Sequence, residues 1–244
     1  KSMCRNYLSF KSINVLKVNM SDYSINALLE LVSKAITENH NKSIKNNEKI
    51  FLRTINTSPR IRYPLLDKKN SNKKFLFNEY WQKVYLLLQF QLDSMAILDQ
   101  DTFNQIRSSV LQDMSEIWKN ATRIIVALCD IMIFQKKGEG LFNSLFLKRS
   151  LNSKAWDDGP KTILQIESLG PQSIKSLKAK NVKNISELQA LKPNKLEYYL
   201  GLKPGKGYKL KEKIMKLPQI DLSAKYLDTV VSSTGKCLSQ IEIS

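Results

Sequence analysis

The stretch Leu202-Lys-Pro-Gly-Lys-Gly-Tyr208, followed by the lysine-rich run Lys209–Leu217, decides how the second half of this chain folds. Two glycines flanking a lysine predict a tight turn, and the following run has helical spacing. Backbone amides exposed at a helix start attract an anion, since unpaired N–H groups and the helix dipole both favour negative charge. A nucleic-acid phosphate is the expected anion. The candidate contacts of this helix-hairpin-helix unit are Lys203, Gly205, Lys206, Gly207, Lys209 and Lys211.

A weaker copy of the unit lies upstream. Glu167-Ser-Leu-Gly170 predicts its turn, and Pro171 is expected to open the next helix, where its missing N–H is not needed. Asn184-Ile-Ser-Glu187 has the capping-box pattern of a further helix start, and Pro193 is expected to begin another helix. Both units are equally compatible with compact turns that only pack the chain. The candidate phosphate contacts of the first copy are Gly170, Lys175 and Lys178.

The positive charge of the chain is concentrated in two blocks. The 244 residues carry a net charge of +17. Residues 1–74 contribute +10 and residues 160–217 contribute +9, whereas residues 75–159 and 218–244 contribute −1 each. A neutral body with basic modules suits nucleic-acid binding. The alternative is the solvated surface of a lysine-rich protein. No long amphipathic helix with a basic face stands out, so a membrane partner is not expected.

Cysteine and histidine usage argues against several site classes. The three cysteines, Cys4, Cys129 and Cys237, are far apart, so they predict neither a disulfide framework nor a paired-cysteine metal site. The single histidine, His40, lies in a polar run, which disfavours a zinc site or a histidine-based triad. No secretory signal is present, and the apolar run Ile124–Phe134 is too short to span a membrane. We expect a reducing compartment.

The apolar spacing predicts a mainly α fold. Helices are expected within residues 1–38, over Glu48–Ile55 and Asn78–Asp93, from a capping box at Asp101–Gln105 through Ile131, and over Leu141–Ser153 after a break at Gly138–Gly140. Ile61–Pro64 is expected to be extended. Gln219–Leu222 and Cys237–Ile243 alternate like strands around a turn at Ser232–Gly235.

These elements predict three successive domains. A helical bundle should occupy residues 21–159, the tandem helix-hairpin-helix module residues 160–217, and the start of a truncated β domain residues 218–244. The two chain ends suggest a fragment of a larger protein.

Short phrases in a fixed order carry a family resemblance. They are Tyr7–Phe10, Ala27–Ala35, Asn47–Lys49, Ile61–Pro64, Leu87–Leu92, Ala121–Ile124, Lys154–Asp158 and Gln165–Gly170. With the order of the elements, they resemble the C-terminal module of superfamily-two DExH helicases of the Ski-two-like class. Within that class the chain is most similar to the meiosis-specific crossover-promoting DNA helicases of the HFM/MER type.

The resemblance implies more than the residues themselves show. It makes residues 1–20 the end of a winged-helix domain and residues 218–244 the start of an immunoglobulin- or fibronectin-like β sandwich. The whole helicase would use ATP and Mg²⁺ in its motor to move 3′ to 5′ along DNA in the nucleus. The implied partners are single-stranded or branched DNA, the helicase's own motor domains, and recombination or mismatch-repair-type proteins. This chain itself has no Gly-x-x-x-x-Gly-Lys-Ser/Thr loop and no Asp-Glu-x-His segment, so we expect no catalytic site and no cofactor in it.

A bundle helix of this class lies against the translocating strand, where archaeal DNA-repair members place an Arg and a Trp seven residues apart. Matching Ala121–Ile124 to that motif puts Glu116 and Arg123 at those positions. Glu116 departs from the pattern and would repel phosphate. Arg123 is a candidate for a phosphate or base contact. Equally, Arg123 would pair with Glu116 or Asp130.

The three tryptophans are expected to pack or to stack on a base. Trp156 is either a stacking platform for a base or a packing joint between bundle and hairpins, and Trp81 and Trp118 are expected in the core.

The chain is expected to hold the sugar–phosphate backbone without reading its sequence. The alternatives are a protein-docking module, and the same module in a spliceosomal or translation-linked RNA helicase.

Overall fold

A computed structural model describes residues 6–38, 42–66, 75–93, 103–166, 168–217, 223–231 and 237–243. The described chain is mainly helical, which confirms the predicted fold class. The helices are α1 (Phe10–Leu16), α2 (Ile25–Thr37), α3 (Asn46–Asn56), α4 (Tyr80–Asp93), α5 (Asn104–Phe134), α6 (Gly138–Ser153), α7 (Pro171–Ala179), α8 (Ile185–Ala190), α9 (Pro193–Leu200) and α10 (Lys206–Met215), with a 3₁₀ turn at Pro160–Gln165.

The chain divides into two compact units. The first comprises Lys1–Gln165 with Val182–Asn184, and the second comprises Ile166–Asn181 with Ile185–Ser244. The first unit is a helical bundle of α1–α6, and its core includes Ile13 and Leu16 from α1. The predicted winged-helix origin of residues 1–20 and the predicted domain limits stay predictions.

Helix α5 is the longest element of the bundle. Its apolar side chains recur every three or four residues, so one face is continuously buried. The predicted stripe is confirmed in full: Ile106, Val110, Met114, Ile117, Ala121, Ile124, Leu128 and Ile131 are all buried. The N-cap of the helix is Phe103, while Asp101 and Thr102 of the predicted capping box lie outside the described residues.

Helix α4 runs through the middle of the bundle, in contact with α2, α3 and α5. The predicted buried centre, Val84–Leu88, is confirmed. The helix also buries Lys83, whose amine lies 2.8 Å from Glu48 on α3 and 2.6 Å from Asp113 on α5. Lys83 is 2% exposed and Glu48 is 1% exposed, so both charged groups are removed from water. Each charge is therefore stabilised by the other.

The predicted helix break at Gly138–Gly140 is wrong. Helix α6 begins at Gly138, and the chain turns just before it, where Lys136 has a φ of 57°. Gly140 is buried in the first helical turn, where an added Cβ would lie 2.6 Å from Met132 Sδ and 2.8 Å from the ring of Tyr23. The glycine therefore permits close packing at the start of α6.

The expected extended segment Ile61–Pro64 forms no strand. Its neighbourhood is held instead by two side-chain amides that hydrogen-bond to backbone. Gln89 accepts from the N–H of Tyr63 at 2.9 Å and donates to its carbonyl at 3.0 Å. Asn56 does the same for Leu65, at 2.7 Å and 2.8 Å. The amides take the place of a neighbouring strand.

Lys161, in the 3₁₀ turn, has a buried amine without a hydrogen-bond partner among the described residues, and desolvation by burial lowers its pKa. An unsatisfied buried donor costs about 1–3 kcal/mol, so the Lys161→Met variant should be about 1 kcal/mol more stable at pH 7. Because the pKa is lower in the folded than in the unfolded chain, the cost is full at neutral pH and fades as the amine deprotonates at alkaline pH. Urea unfolding at pH 7 and pH 10 should show a gain that shrinks with pH. The exposed control Lys11→Met should show neither effect.

The second unit contains α7–α10 and a two-stranded antiparallel sheet. Strand β1 (Ala224–Val231) pairs with β2 (Cys237–Ile243), with an irregularity between Tyr226 and Asp228. The predicted second strand is confirmed. The predicted first strand, Gln219–Leu222, and the turn at Ser232–Gly235 lie outside the described residues. Across the described ranges, no helix is both long and apolar enough to cross a membrane.

Candidate nucleic-acid interface

The second hairpin, formed by α9, α10 and the turn between them, is the best-defined basic feature of the second unit. Helix α9 ends at Leu200 and is capped by Gly201, with a φ of 60°, and α10 follows Gly205, with a φ of 82°. Both values lie in the left-handed region that glycine adopts without strain. The tight turn is confirmed, although the second helix begins at Lys206 rather than Lys209.

The amide of Gly207 already has an anionic partner inside the chain. It donates to the Glu197 carboxylate at 2.9 Å. Gly207 is buried, and an added Cβ would lie 2.3 Å from the carbonyl oxygen of Pro193. The amide of Lys206 also has a partner, the carbonyl of Lys203 at 3.1 Å. The helix start does attract an anion, as its physics requires, but the anion at Gly207 belongs to the protein.

The lysines of the second hairpin fall into two groups. Lys203, Lys206 and Lys209 are exposed around the turn. Lys211 is half-buried, and its amine donates to the carbonyls of Gln189 and of Leu191, the latter at 2.9 Å. Lys211 thus neutralises the carbonyl end of α8, which is a favourable position for a cation. The structure brings together the first three predicted lysines and gives the fourth an internal role.

The first hairpin copy is described only in part. Glu167 of its predicted turn lies outside the described residues, and Pro160–Gln165 before that turn is a 3₁₀ turn. Helix α7 begins at Pro171 as predicted, after Gly170 in an extended conformation. The Gly170 amide faces the Ser173 hydroxyl at 3.4 Å. Lys175 and Lys178 are both exposed on α7. This copy therefore presents its lysine side chains to solvent.

Arg123 lies on the exposed side of α5 in the first unit. Its guanidinium donates to the side chain of Asn120 and to the carbonyl of Lys119. Glu116 accepts instead from Lys42, at 2.8 Å. Arg123, Glu116 and Lys119 border an open cavity of about 450 Å³, whose other lining residues are Tyr7, Leu8, Ser9, Ser12, Ala35, Ile36, Asn120 and Ile124.

Trp156 is buried in the core of the first unit, so its faces are not open to a base. The guanidinium of Arg62 lies 4.4 Å from the centre of its ring, and the edge of Tyr63 packs at 6.0 Å. Arg62 is in turn held by both carboxylate oxygens of Asp158. The stacking-platform interpretation is wrong, and Trp156 packs within this unit.

The two other tryptophans and Cys129 are buried to different extents in the first unit. Trp81 and Trp118 pack half-buried against the core instead of entering it fully. Cys129 is free and buried, and desolvation by burial raises the pKa of its thiol, so it packs as a small apolar side chain. His40 lies outside the described residues.

Two tyrosines of the second hairpin were not among the sequence candidates. Tyr198 on α9 is 76% exposed and Tyr208 on α10 is 62% exposed. The amine of Lys180 lies 5.6 Å from the centre of the Tyr198 ring. The available signal was the interleaving of aromatic and basic residues between 198 and 209.

Comparisons with known proteins agree with this architecture. The ATP-dependent DNA helicase MER3 of Saccharomyces cerevisiae is 29% identical over all 244 residues, which cover 20% of that protein. The ATP-dependent DNA helicase homolog MER3 of Arabidopsis thaliana is 26% identical over 93% of this chain and 19% of its own length. The probable ATP-dependent DNA helicase HFM1 of Homo sapiens is 24% identical over 95% of this chain and 15% of its own length.

The chain therefore spans a fifth or less of the length of these curated relatives. The resemblance to a module of HFM/MER-type helicases is confirmed. The family model described as the Sec63 Brl domain matches residues 2–243, and the chain belongs to that family.

Proposed function

We propose that this chain is a nucleic-acid-binding accessory module of an ATP-dependent 3′–5′ DNA helicase that acts in meiotic recombination and crossover formation. In this proposal the module grips the strand backbone beyond the motor. Relatives named as ATP-dependent DNA helicases support the helicase assignment and favour DNA over RNA. The observation that carries the grip is the exposed group Lys203, Lys206 and Lys209 around one tight turn.

The charge balance around that turn favours a phosphate ligand. Residues 160–217 carry 13 lysines and four glutamates. Of these acids, Glu197 is directed to the Gly207 amide and Glu212 pairs with Lys216 at 2.8 Å. Neither carboxylate opposes the ammonium groups of the turn as a free charge. Lysine side chains, rather than the hairpin amides, would thus make the phosphate contacts, and they carry no base specificity.

Further contacts would extend the grip along the strand. Lys175 and Lys178, after Gly170, present a second set of exposed amines in the same unit. Arg123 would add a contact on the bundle, where its open cavity can admit a phosphate or a base edge. Each of these contacts would be weak and independent of sequence.

In the whole helicase, other domains would supply the cofactor chemistry. ATP and Mg²⁺ would act in the motor, and the chemistry of hydrolysis would belong there. The partners would be single-stranded or branched DNA, the motor domains, and recombination or mismatch-repair-type proteins. A protein with this role would act in the nucleus.

Reversing the charge of the turn should weaken DNA binding at least tenfold. We would measure fluorescence anisotropy of single-stranded and forked DNA, and of matched RNA, at two salt concentrations. The variant Lys203→Glu/Lys206→Glu/Lys209→Glu removes three phosphate contacts. The negative slope of log affinity against log salt should therefore become shallower by about 2. The control Lys11→Glu/Lys17→Glu/Lys45→Glu makes the same charge change at exposed sites of the first unit and should bind more tightly than the turn variant.

Weak binding that is equal in the wild type and the turn variant would overturn the grip. Protein docking would then be the better explanation of this module. The exposed Phe134 and Phe142, at the junction of α5 and α6, would be the first residues to test.

A further inference from the structure

Two large aromatic rings on the second hairpin remain exposed to solvent. The neighbouring apolar residues Leu196 and Leu210 are buried, whereas Tyr198 and Tyr208 keep most of their surface in water. Large apolar surface that a fold leaves exposed is a marker of binding when it lies beside other ligand-binding groups. Here those groups are the lysines of the turn.

The residues that precede the two tyrosines in the sequence are in direct contact with each other. Glu197 precedes Tyr198, Gly207 precedes Tyr208, and the Glu197 carboxylate lies 2.9 Å from the Gly207 nitrogen. Each tyrosine Cα is about 3.8 Å from the Cα of its contact residue. The tyrosines therefore belong to the same small region as the exposed turn.

Neighbouring groups surround the Tyr198 ring without covering it. The amine of Lys180, the residue that caps the C-terminus of α7, lies 5.6 Å from the ring centre. The Tyr199 ring packs at 6.0 Å with an interplanar angle of 53°. A cation beside an exposed ring offers a nucleotide two contacts at once, since the base can stack while its phosphate meets the amine.

We propose that Tyr198 and Tyr208 form a base-stacking site, and that this site makes the hairpin select unpaired strands over duplexes. The inference rests on the proposed grip of the backbone by the lysines. A duplex hides the faces of its bases, but a single strand exposes them, and every base has such a face. Lysines alone would hold both forms, so the tyrosines supply the discrimination.

The test compares three labelled ligands, each at the same two salt concentrations: a single strand, the same strand with abasic positions, and a blunt duplex of the same sequence. We expect Tyr198→Ala/Tyr208→Ala to bind the single strand roughly tenfold more weakly. Its affinity for the abasic strand and for the duplex should change less than twofold. Tyr198→Phe/Tyr208→Phe keeps both rings and should retain wild-type binding. Tyr226→Ala removes another exposed tyrosine and should have no effect.

The outcomes separate this inference from the proposed function. If the alanine variant loses affinity equally for all three ligands, or for none, while the wild type binds with strong salt dependence, the stacking site is wrong and the grip stands. If the wild type binds none of the ligands in a salt-dependent way, the proposed function fails and the inference with it. Unchanged thermal melting of each variant shows that a loss arises from the site.

Discussion

Replacing Lys83 with methionine should lower the free energy of unfolding by about 3–5 kcal/mol. The change removes the cation that lies 2.8 Å from Glu48 and 2.6 Å from Asp113. Asp113 keeps Lys42 at 3.7 Å, but Glu48 is 1% exposed and would be left as a buried charge. The expected loss comes from that stranded carboxylate, because methionine itself fills a similar volume.

Urea unfolding followed by far-ultraviolet circular dichroism would measure the loss. The double variant Glu48→Gln/Lys83→Met should recover a large part of it, since no buried charge then remains unpaired. Glu30→Gln is the control, because it breaks an exposed pair with Lys34 and should cost less than about 1 kcal/mol. A loss for Lys83→Met no larger than for this control would show that the buried network does not stabilise the bundle.

Gly207→Ala should destabilise the second unit by about 3 kcal/mol and weaken DNA binding with it. The new Cβ would lie 2.3 Å from the Pro193 carbonyl and 2.6 Å from Glu197 Cγ. Backbone cannot yield as a side-chain tip does, so α9 and α10 must move apart. The Glu197–Gly207 hydrogen bond would be lost with that movement, and the three lysines of the turn would lose their fixed spacing.

Gly205→Ala is the matched comparison, since it adds the same methyl group two residues earlier. Gly205 has open space around its Cα, and its φ of 82° gives a strain cost of about 1 kcal/mol. Thermal melting and anisotropy of both variants would rank them. Equal effects of the two substitutions would mean that close packing at Gly207 is not what the glycine provides.

The sequence predicted those features that repeat along the chain. The stripe of α5 is visible because eight residues share one helical period, and the proline starts of α7 and α9 are visible because proline fits only certain backbone positions. Tertiary neighbours do not repeat in this way. Gly140 resembles a helix break in sequence, and only the positions of Met132 and Tyr23 show why a glycine stands there.

The lysines show the same limit for the candidate site. Lys209 and Lys211 are equivalent in sequence, yet one is exposed and the other is bound to the end of α8. The distinction depends on where α8 ends in space, which no local pattern encodes. Likewise, Lys83 lies in the first turn of α4, and its partners Glu48 and Asp113 are 35 and 30 residues away along the chain.

The carboxylate that fills the Gly207 amide site has a mechanical consequence for a moving strand. Because the Glu197 carboxylate occupies the Gly207 amide, the contacts left at the turn are the exposed amines of long, flexible lysine side chains. Such amines can release one phosphate and take the next without passing through a strained geometry. In the proposed role, the hairpin would resist lifting of the strand while offering little friction to its sliding, so the motor would lose little of each step to the module behind it.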